Sequence, residues 1–221
     1  TRVRLRGKLG IAHDWVLQAH GDIYASNACA ALLAAHAVGV PWRVAADAIA
    51  NTPPPPGRFE IVADSPHVVV DYAHTPDAVA RTLAIARQLA GDHEVLLVAG
   101  AGGDTERSKR KPMGAAASRA DRVWLTSDNP RGEAPADIAR QIEGGISEDV
   151  EVHTVLDRRQ AIEVALRQAR PDDVVIIAGK GHERTQDAGG EVRAFDDAQI
   201  VAEILGEPRA VGRDGWPGQG R

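Results

Sequence analysis

Apolar spacing divides the chain into two stretches of different character. Over residues 26–38, Ala, Cys and Leu recur at helical spacing, and residues 41–50 form a second, shorter amphipathic stretch. Four consecutive prolines at 53–56 and Gly57 follow. Such a run cannot continue a helix or enter a sheet interior, so it reads as a stiff linker and a domain boundary. An internal loop of a single domain is the alternative. Beyond it, short runs rich in Val, Ile and Leu at 68–72, 94–99, 122–126, 150–155 and 174–178 alternate with amphipathic stretches at 76–89, 112–120, 135–142 and 158–169. Apolar strands without polar alternation suit a parallel sheet covered on both faces. The expected fold is therefore α/β, a doubly wound and mostly parallel Rossmann-like sheet preceded by a short helical segment. A last helix is expected over 196–205 and a loose tail over 208–221, giving segments 1–56, 57–207 and 208–221.

Composition narrows the function classes. Of 221 residues 43% are hydrophobic, enough for one good core. The 26 basic and 31 acidic residues leave a formal charge of -5, which removes the usual electrostatic case for a nucleic-acid binder. The single cysteine, Cys29, excludes an intrachain disulfide and reads as a buried, inert thiol in a helix core. No apolar run reaches the roughly 20 residues of a membrane span, and no signal-peptide core opens the chain, so a cytoplasmic setting is expected. The first residue is Thr1, which fits a fragment or processed chain.

Polar signatures fall at the carboxyl ends of the expected strands, where open parallel sheets bind ligands. These are Asp71-Tyr72-Ala73-His74-Thr75-Pro76, Gly100-Ala101-Gly102-Gly103-Asp104, Ser127-Asp128-Asn129-Pro130-Arg131 and Gly179-Lys180-Gly181-His182-Glu183. Asp71 and His74 could simply cap the following helix. The glycines at 100–103 could be a tight turn, since they lack P-loop spacing. Arg131 is either a solvated side chain on an Asx-Pro turn or a guanidinium that grips a carboxylate through two parallel bonds. With Glu183 it would complement the carboxylate and ammonium of an amino acid. There is no Gly-x-Ser-x-Gly elbow, and the histidines show no metal-ligand spacing, so neither a nucleophilic triad nor a bound metal is expected in this chain.

Taken in order, these motifs resemble the Mur ligase family, most closely its members that add the third residue of the peptidoglycan stem peptide. Gly21-Asp22-Ile23-Tyr24-Ala25-Ser26-Asn27 is similar to the Gly-x-Phe-Asn-x-x-Asn segment ending the family's central ATPase domain. Gly57-Arg58-Phe59-Glu60 resembles the opening of its C-terminal domain, and the Asp-Tyr-Ala-His-Thr-Pro-Asp run stands unaltered at 71–77. Gly102-Gly103-Asp104, Lys109-Arg110 and Pro112-Met113 resemble a further family stretch, and the Asp-Asn-Pro-Arg and Gly-Lys-Gly-His-Glu motifs match without substitution. The likeness runs from about residue 21 to 205.

The resemblance implies an ATP- and Mg2+-dependent amide ligase that joins meso-diaminopimelate to UDP-N-acetylmuramoyl-L-alanyl-D-glutamate through an acyl phosphate, as a cytoplasmic monomer. It implies that Asn129, Arg131, Gly179 and Glu183, with Asp128 beside them, hold the diamino acid, and that Arg131 takes its distal carboxylate. Arg58, Asp71 and His74 would face the nucleotide, and Asn27 would approach its base. No catalytic residue is assigned. Three departures stand out: Thr105 replaces the family's arginine after Gly-Gly-Asp, leaving Arg107 as the candidate substitute; Tyr24 replaces an asparagine; and Lys111 displaces the proline to Pro112. Because the P-loop and the Mg2+-binding lysine and glutamate are absent from this sequence, the chain alone is expected to bind parts of the substrates without turnover. A lysine-adding or folylpolyglutamate-type ligase, or a stand-alone ligand-binding relic, are the competing readings. Arg131 disfavours lysine, whose distal ammonium it would repel.

Overall fold

The computed structural model describes residues 1–6 and 12–206, so the expected tail at 208–221 lies outside the described residues. The chain forms two compact units that part within the proline tract, the first ending at Pro55 and the second starting at Pro56.

In the first unit, strands β1 (Arg2–Arg6) and β2 (Ala12–Val16) pair antiparallel and are followed by helices α1 (Asp22–Ala37) and α2 (Trp42–Ala50). Val3, Trp15, Leu17, Ala28, Leu32, Ala45 and Ala46 form its core. Helix α1 starts four residues earlier than the apolar spacing suggests, because Gly21, with φ 98°, makes the turn into it. Cys29 is half-buried beside this core rather than enclosed, a correction to the sequence reading: it sits one position round the helix from the buried Ala28.

The second unit is built on a six-stranded sheet. Its strands are β3 (Glu60–Asp64), β4 (His67–Asp71), β5 (Val95–Ala99), β6 (Arg122–Leu125), β7 (Glu151–Thr154) and β8 (Val174–Ala178). They lie in the order β3-β4-β8-β5-β6-β7, all parallel except β3, which runs antiparallel to β4. The helices are α3 (Pro76–Ala90), α4 (Arg110–Ala117), α5 (Pro135–Glu143), α6 (Arg158–Gln168) and α7 (Asp197–Leu205). A hairpin of β9 (Thr185–Ala188) and β10 (Glu191–Ala194) follows β8.

Val68, Val70, Leu96, Val98, Trp124, Val175 and Ile177 face one way and pack on α6 and α7. The alternate residues, Val69, Leu97, Ile176 and Val123, point to the opposite face, where α3, α4 and α5 stand side by side. Strands β5 and β8 are therefore buried on both faces, which is why their sequences carry no polar position. Edge strand β7 shows the contrary, with Glu151 and Thr154 exposed. The expected doubly wound, mostly parallel α/β fold is present. Four elements were not expected: the β1–β2 and β9–β10 hairpins, strand β3 and a 3-10 turn at Arg107–Lys109. That turn leads directly into α4, which begins at Arg110 and ends at Ala117 instead of spanning 112–120.

Candidate functional site

Four strand ends bring the polar motifs to one rim of the second unit. Asp71 closes β4 with both carboxylate oxygens engaged: Oδ2 accepts from Phe59 N at 2.6 Å, and Oδ1 from Ala73 N and the Thr82 hydroxyl, each at 2.9 Å. It braces the turn carrying Arg58 against the end of β4. The capping alternative for Asp71 and His74 does not hold, because Thr75 accepts from Ala78 N and Pro76 opens α3. His74 Nδ1 donates to the Tyr72 carbonyl at 2.8 Å, which leaves Nε2 an acceptor in the neutral ring. The Arg58 guanidinium lies 4.4 Å from the centre of the Tyr72 ring, with His74 and His182 against the same ring at 4.5 and 5.2 Å.

The loops after β5 and β6 are laced together. Gly103 N donates to Asn129 O at 2.9 Å, and a Cβ at Gly103 would lie 1.8 Å from the Pro130 carbonyl oxygen, so only glycine permits this approach. Arg131 adopts φ 49° and donates from a guanidinium nitrogen to Gly103 O at 2.8 Å. Its other guanidinium N–H groups take no bond among the described residues, and no carboxylate pairs with it there.

Behind these loops lies a pair the motifs did not reveal. Arg110, fully buried, donates to both oxygens of Glu133 at 2.8 and 2.9 Å, to Gly102 O at 3.1 Å and to Gln141 at 2.9 Å. Asp104 N donates to Glu133 at 2.7 Å, and Arg107 approaches it at 3.1 Å. The hydrogen bonds from Arg110 and then from Asp104, with the charges of Arg110 and Arg107, pull the Glu133 carboxyl down to about 2. Arg107 is thus held at the loop base by Glu133, with most of its side chain exposed, while Thr105 donates its hydroxyl to Gly102 O.

The loop after β8 supplies the fourth wall. Gly179 has φ 115° and donates to Asp71 O at 3.0 Å, and a Cβ there would meet an Asp128 carboxylate oxygen at 2.6 Å. Lys180 is wholly buried; its Nζ lies 3.0 Å from Asn129 Oδ1, 3.3 Å from Glu183 Oε2 and 3.6 Å from Asp128 Oδ1. Asn129 Nδ2 donates to the same Glu183 oxygen at 2.8 Å. Strand β9 clamps the Asn129 loop: Asp187 N donates to Asn129 Oδ1, Gln186 to Asp128 O, and Arg131 pairs its backbone with Asp187 and Gly189. A buried Arg158–Asp197 pair lies deeper, with Arg158 donating to Ala178 O at 3.0 Å and Ser127 O at 3.4 Å. Burial opposes the Arg158 charge, but Asp197, then Asp128 and Glu183, outweigh it and raise its pKa above the ordinary arginine value.

The structure therefore joins Asn129 and Glu183 directly and brings Asp128 to them through Lys180, with Gly179 against the Asp128 carboxylate and Arg131 bridged to β9 in the same clamp. Arg58 and His74 gather separately around Tyr72. Asn27 belongs to the first unit, exposed on α1. Sequence reasoning left Lys180 and Arg110 without a role and missed Glu133, Arg158 and Asp197. A charged residue inside an otherwise apolar amphipathic face was the available signal for Arg158. Among the described residues no group of three His, Cys, Asp or Glu is arranged to hold a metal ion.

Loops converging beyond the carboxyl ends of parallel strands define an α/β domain of the class that takes small ligands at that rim. Residues 57–181 match the family model described as Mur ligase, glutamate ligase domain. The chain belongs to the Mur ligase family. It is 44% identical over 191 residues to the UDP-N-acetylmuramoyl-L-alanyl-D-glutamate--2,6-diaminopimelate ligase of Alkaliphilus metalliredigens, covering 85% of this chain and 38% of that protein. It is 48% identical over 161 residues to the ligase of the same name from Aquifex aeolicus, covering 72% of this chain and 33% of the relative. A solved structure of a UDP-N-acetylmuramoyl-L-alanyl-D-glutamate--2,6-diaminopimelate ligase superposes with a TM-score of 0.67 at 35% identity, over 93% of this chain and 42% of its own. The chain thus spans about a third to two fifths of the length of the curated relatives it matches.

Proposed function

We propose that this chain is the amino-acid-binding part of an ATP-dependent ligase that joins meso-diaminopimelate to UDP-N-acetylmuramoyl-L-alanyl-D-glutamate. One observation carries the reading. Among the described residues Arg131 has no acidic partner and Glu183 Oε1 no hydrogen bond, on two loops cross-linked through Asn129. A diamino dicarboxylic acid offers the matching groups: a carboxylate for the guanidinium and an ammonium for the carboxylate. Asn129, Arg131, Gly179 and Glu183 hold it, with the Asp128 carboxylate packed against Gly179. Arg107, tethered to Glu133, supplies positive charge at the neighbouring loop in the place of an arginine at 105.

In the reaction, the D-glutamyl carboxylate attacks the terminal phosphorus of ATP, releasing ADP and leaving an acyl phosphate. The amine of the diamino acid then attacks that carbonyl, inorganic phosphate departs, and the nitrogen loses a proton. Arg58 on Tyr72, flanked by His74 and His182, presents donors suited to phosphate oxygens, and Asp71 holds the Arg58 turn in place. Asn27, on α1 of the unit we assign to the end of the central ATPase domain, is kept as a separate candidate for the nucleotide base. Mg2+ neutralises phosphate charge in such chemistry; its ligands belong to parts of the ligase beyond these residues. The UDP-linked substrate and ATP place the monomeric enzyme in the cytoplasm. No helix among the described residues is long and apolar enough to cross a membrane.

Calorimetric titration with meso-diaminopimelate, L-lysine and ATP tests the reading. Binding of meso-diaminopimelate in preference to lysine, lost in Arg131→Ala, is expected. Equal binding of lysine, or binding untouched by the substitution, would overturn the assignment of Arg131.

A further inference from the structure

The ammonium of Lys180 is inaccessible to any ligand, yet it touches three groups of the candidate site. With 0% of its side chain exposed, it donates to Asn129 Oδ1 at 3.0 Å and Glu183 Oε2 at 3.3 Å, and its charge pairs with Asp128 Oδ1 at 3.6 Å. An ammonium can only donate. The amide of Asn129, whose two ends have nearly the same shape, must therefore turn its oxygen to Lys180, where Asp187 N donates to it as well. That choice points Nδ2 at Glu183, which it meets at 2.8 Å. The reversed amide would set two N–H donors against a buried cation and turn a carbonyl oxygen on a carboxylate.

We propose that Lys180 is a positioning residue for the amino-acid site: its buried ammonium fixes the sense of the Asn129 amide and pins Glu183 Oε2, so that Oε1 is left aimed outward for the ligand ammonium. This rests on the reading of the site as one for a diamino acid. Two accounts of Lys180 then make opposite predictions. If it acted only as a charge, it would weaken the attraction of Glu183 for a ligand ammonium, and Lys180→Met would tighten binding. As a positioning residue it supports binding, and the same substitution weakens it, by about tenfold or more for the loss of a charge-assisted bond within the site.

The experiment has two arms. In the first, the ammonium groups of the unliganded chain are observed by nitrogen-15 NMR at neutral pH. An exposed lysine ammonium exchanges with water too fast to be seen, so Lys180 should give a discrete signal that connects to the Asn129 side chain, absent in Lys180→Met. No such signal would overturn the proposal, even if the variant fails to fold. In the second, meso-diaminopimelate is titrated into the wild-type chain and into Lys180→Met of confirmed thermal stability. Weakening of about tenfold or more, with displaced Asn129 side-chain amide resonances, is expected; unchanged or tighter binding would overturn it. Failure of the wild-type chain to bind meso-diaminopimelate would instead sink the proposed ligand, while the ammonium spectrum still decides whether Lys180 sets the Asn129–Glu183 pair.

Discussion

Removing one member of the Arg158–Asp197 pair should unfold the second unit more readily than any other single polar substitution there. Both side chains are 0% exposed and share two bonds, at 2.8 and 2.7 Å. Arg158 also satisfies the carbonyls of Ala178 and Ser127, the residues just before Gly179 and Asp128. Arg158→Met keeps much of the volume but strands the Asp197 carboxylate in an apolar surrounding and leaves those carbonyls without their donor. Breaking a buried pair in this way costs about 3–5 kcal/mol, because an uncompensated charge remains. With a urea dependence of about 2 kcal/mol per molar, the unfolding midpoint should fall by roughly 2 M. Asp197→Leu strands the guanidinium instead and should cost a similar amount. The double variant removes both charges, so its loss should fall short of the summed single losses by at least about 2 kcal/mol. Equilibrium unfolding in urea, followed by tryptophan fluorescence with Trp124 in the core, measures all four corners of the cycle. Additive losses, or a single-variant loss below about 1 kcal/mol, would refute the claim that the pair bears on stability through its mutual charge.

Three other outcomes follow from the loops above it. Gly103→Ala places a Cβ on the Pro130 carbonyl, so the Asn129 loop must move; thermal melting should show a loss of about 2 kcal/mol or more, and an unaltered melting point would contradict the packing. Glu133, held down to about 2, binds fewer protons when folded than its ordinary value of 4.5 requires when unfolded. Its contribution is therefore complete above about 4.5 and is lost as pH falls toward about 2. Urea midpoints measured across that window should fall more steeply for wild type than for Glu133→Gln, and parallel curves would contradict it. Arg131→Ala should leave the stability within about 1 kcal/mol of wild type while abolishing selectivity for meso-diaminopimelate over lysine by calorimetry, since its guanidinium makes a single hydrogen bond among the described residues.

The parallel sheet was legible because its central strands are buried on both faces, and runs such as Val-Val-Ile-Ile at 174–177 admit no polar residue. Strand β3 and the β9–β10 hairpin escaped for the opposite reason. Strand β3 holds only the three apolar residues Ile61, Val62 and Ala63 between Glu60 and Asp64, and Thr185 and the wholly exposed β10 offer no apolar run; these strands exist because neighbours supply their hydrogen bonds. The α4 boundary was misplaced because Pro112 suggested the first helical position, whereas it falls at the third residue of a helix already begun by Arg110. At the site, motif order located Asn129, Arg131, Gly179 and Glu183 on one rim, since strand ends fix where each motif emerges. What a motif cannot show is which charges are spent internally. Lys180 and Arg110 look as available in sequence as Arg131 does, and only burial separates the two that brace loops from the one that keeps its donors open.

The central claim is that the loops carrying Asn129, Arg131, Gly179 and Glu183 form one amino-acid site. Its most direct test is the backbone amide spectrum of the nitrogen-15-labelled chain titrated with meso-diaminopimelate. Saturable shifts confined to residues 102–105, 127–133 and 179–188, absent with L-lysine at equal concentration, are predicted. Shifts scattered over the surface, or centred on the Tyr72 and His74 loop while Asn129 and Glu183 stay still, would contradict it.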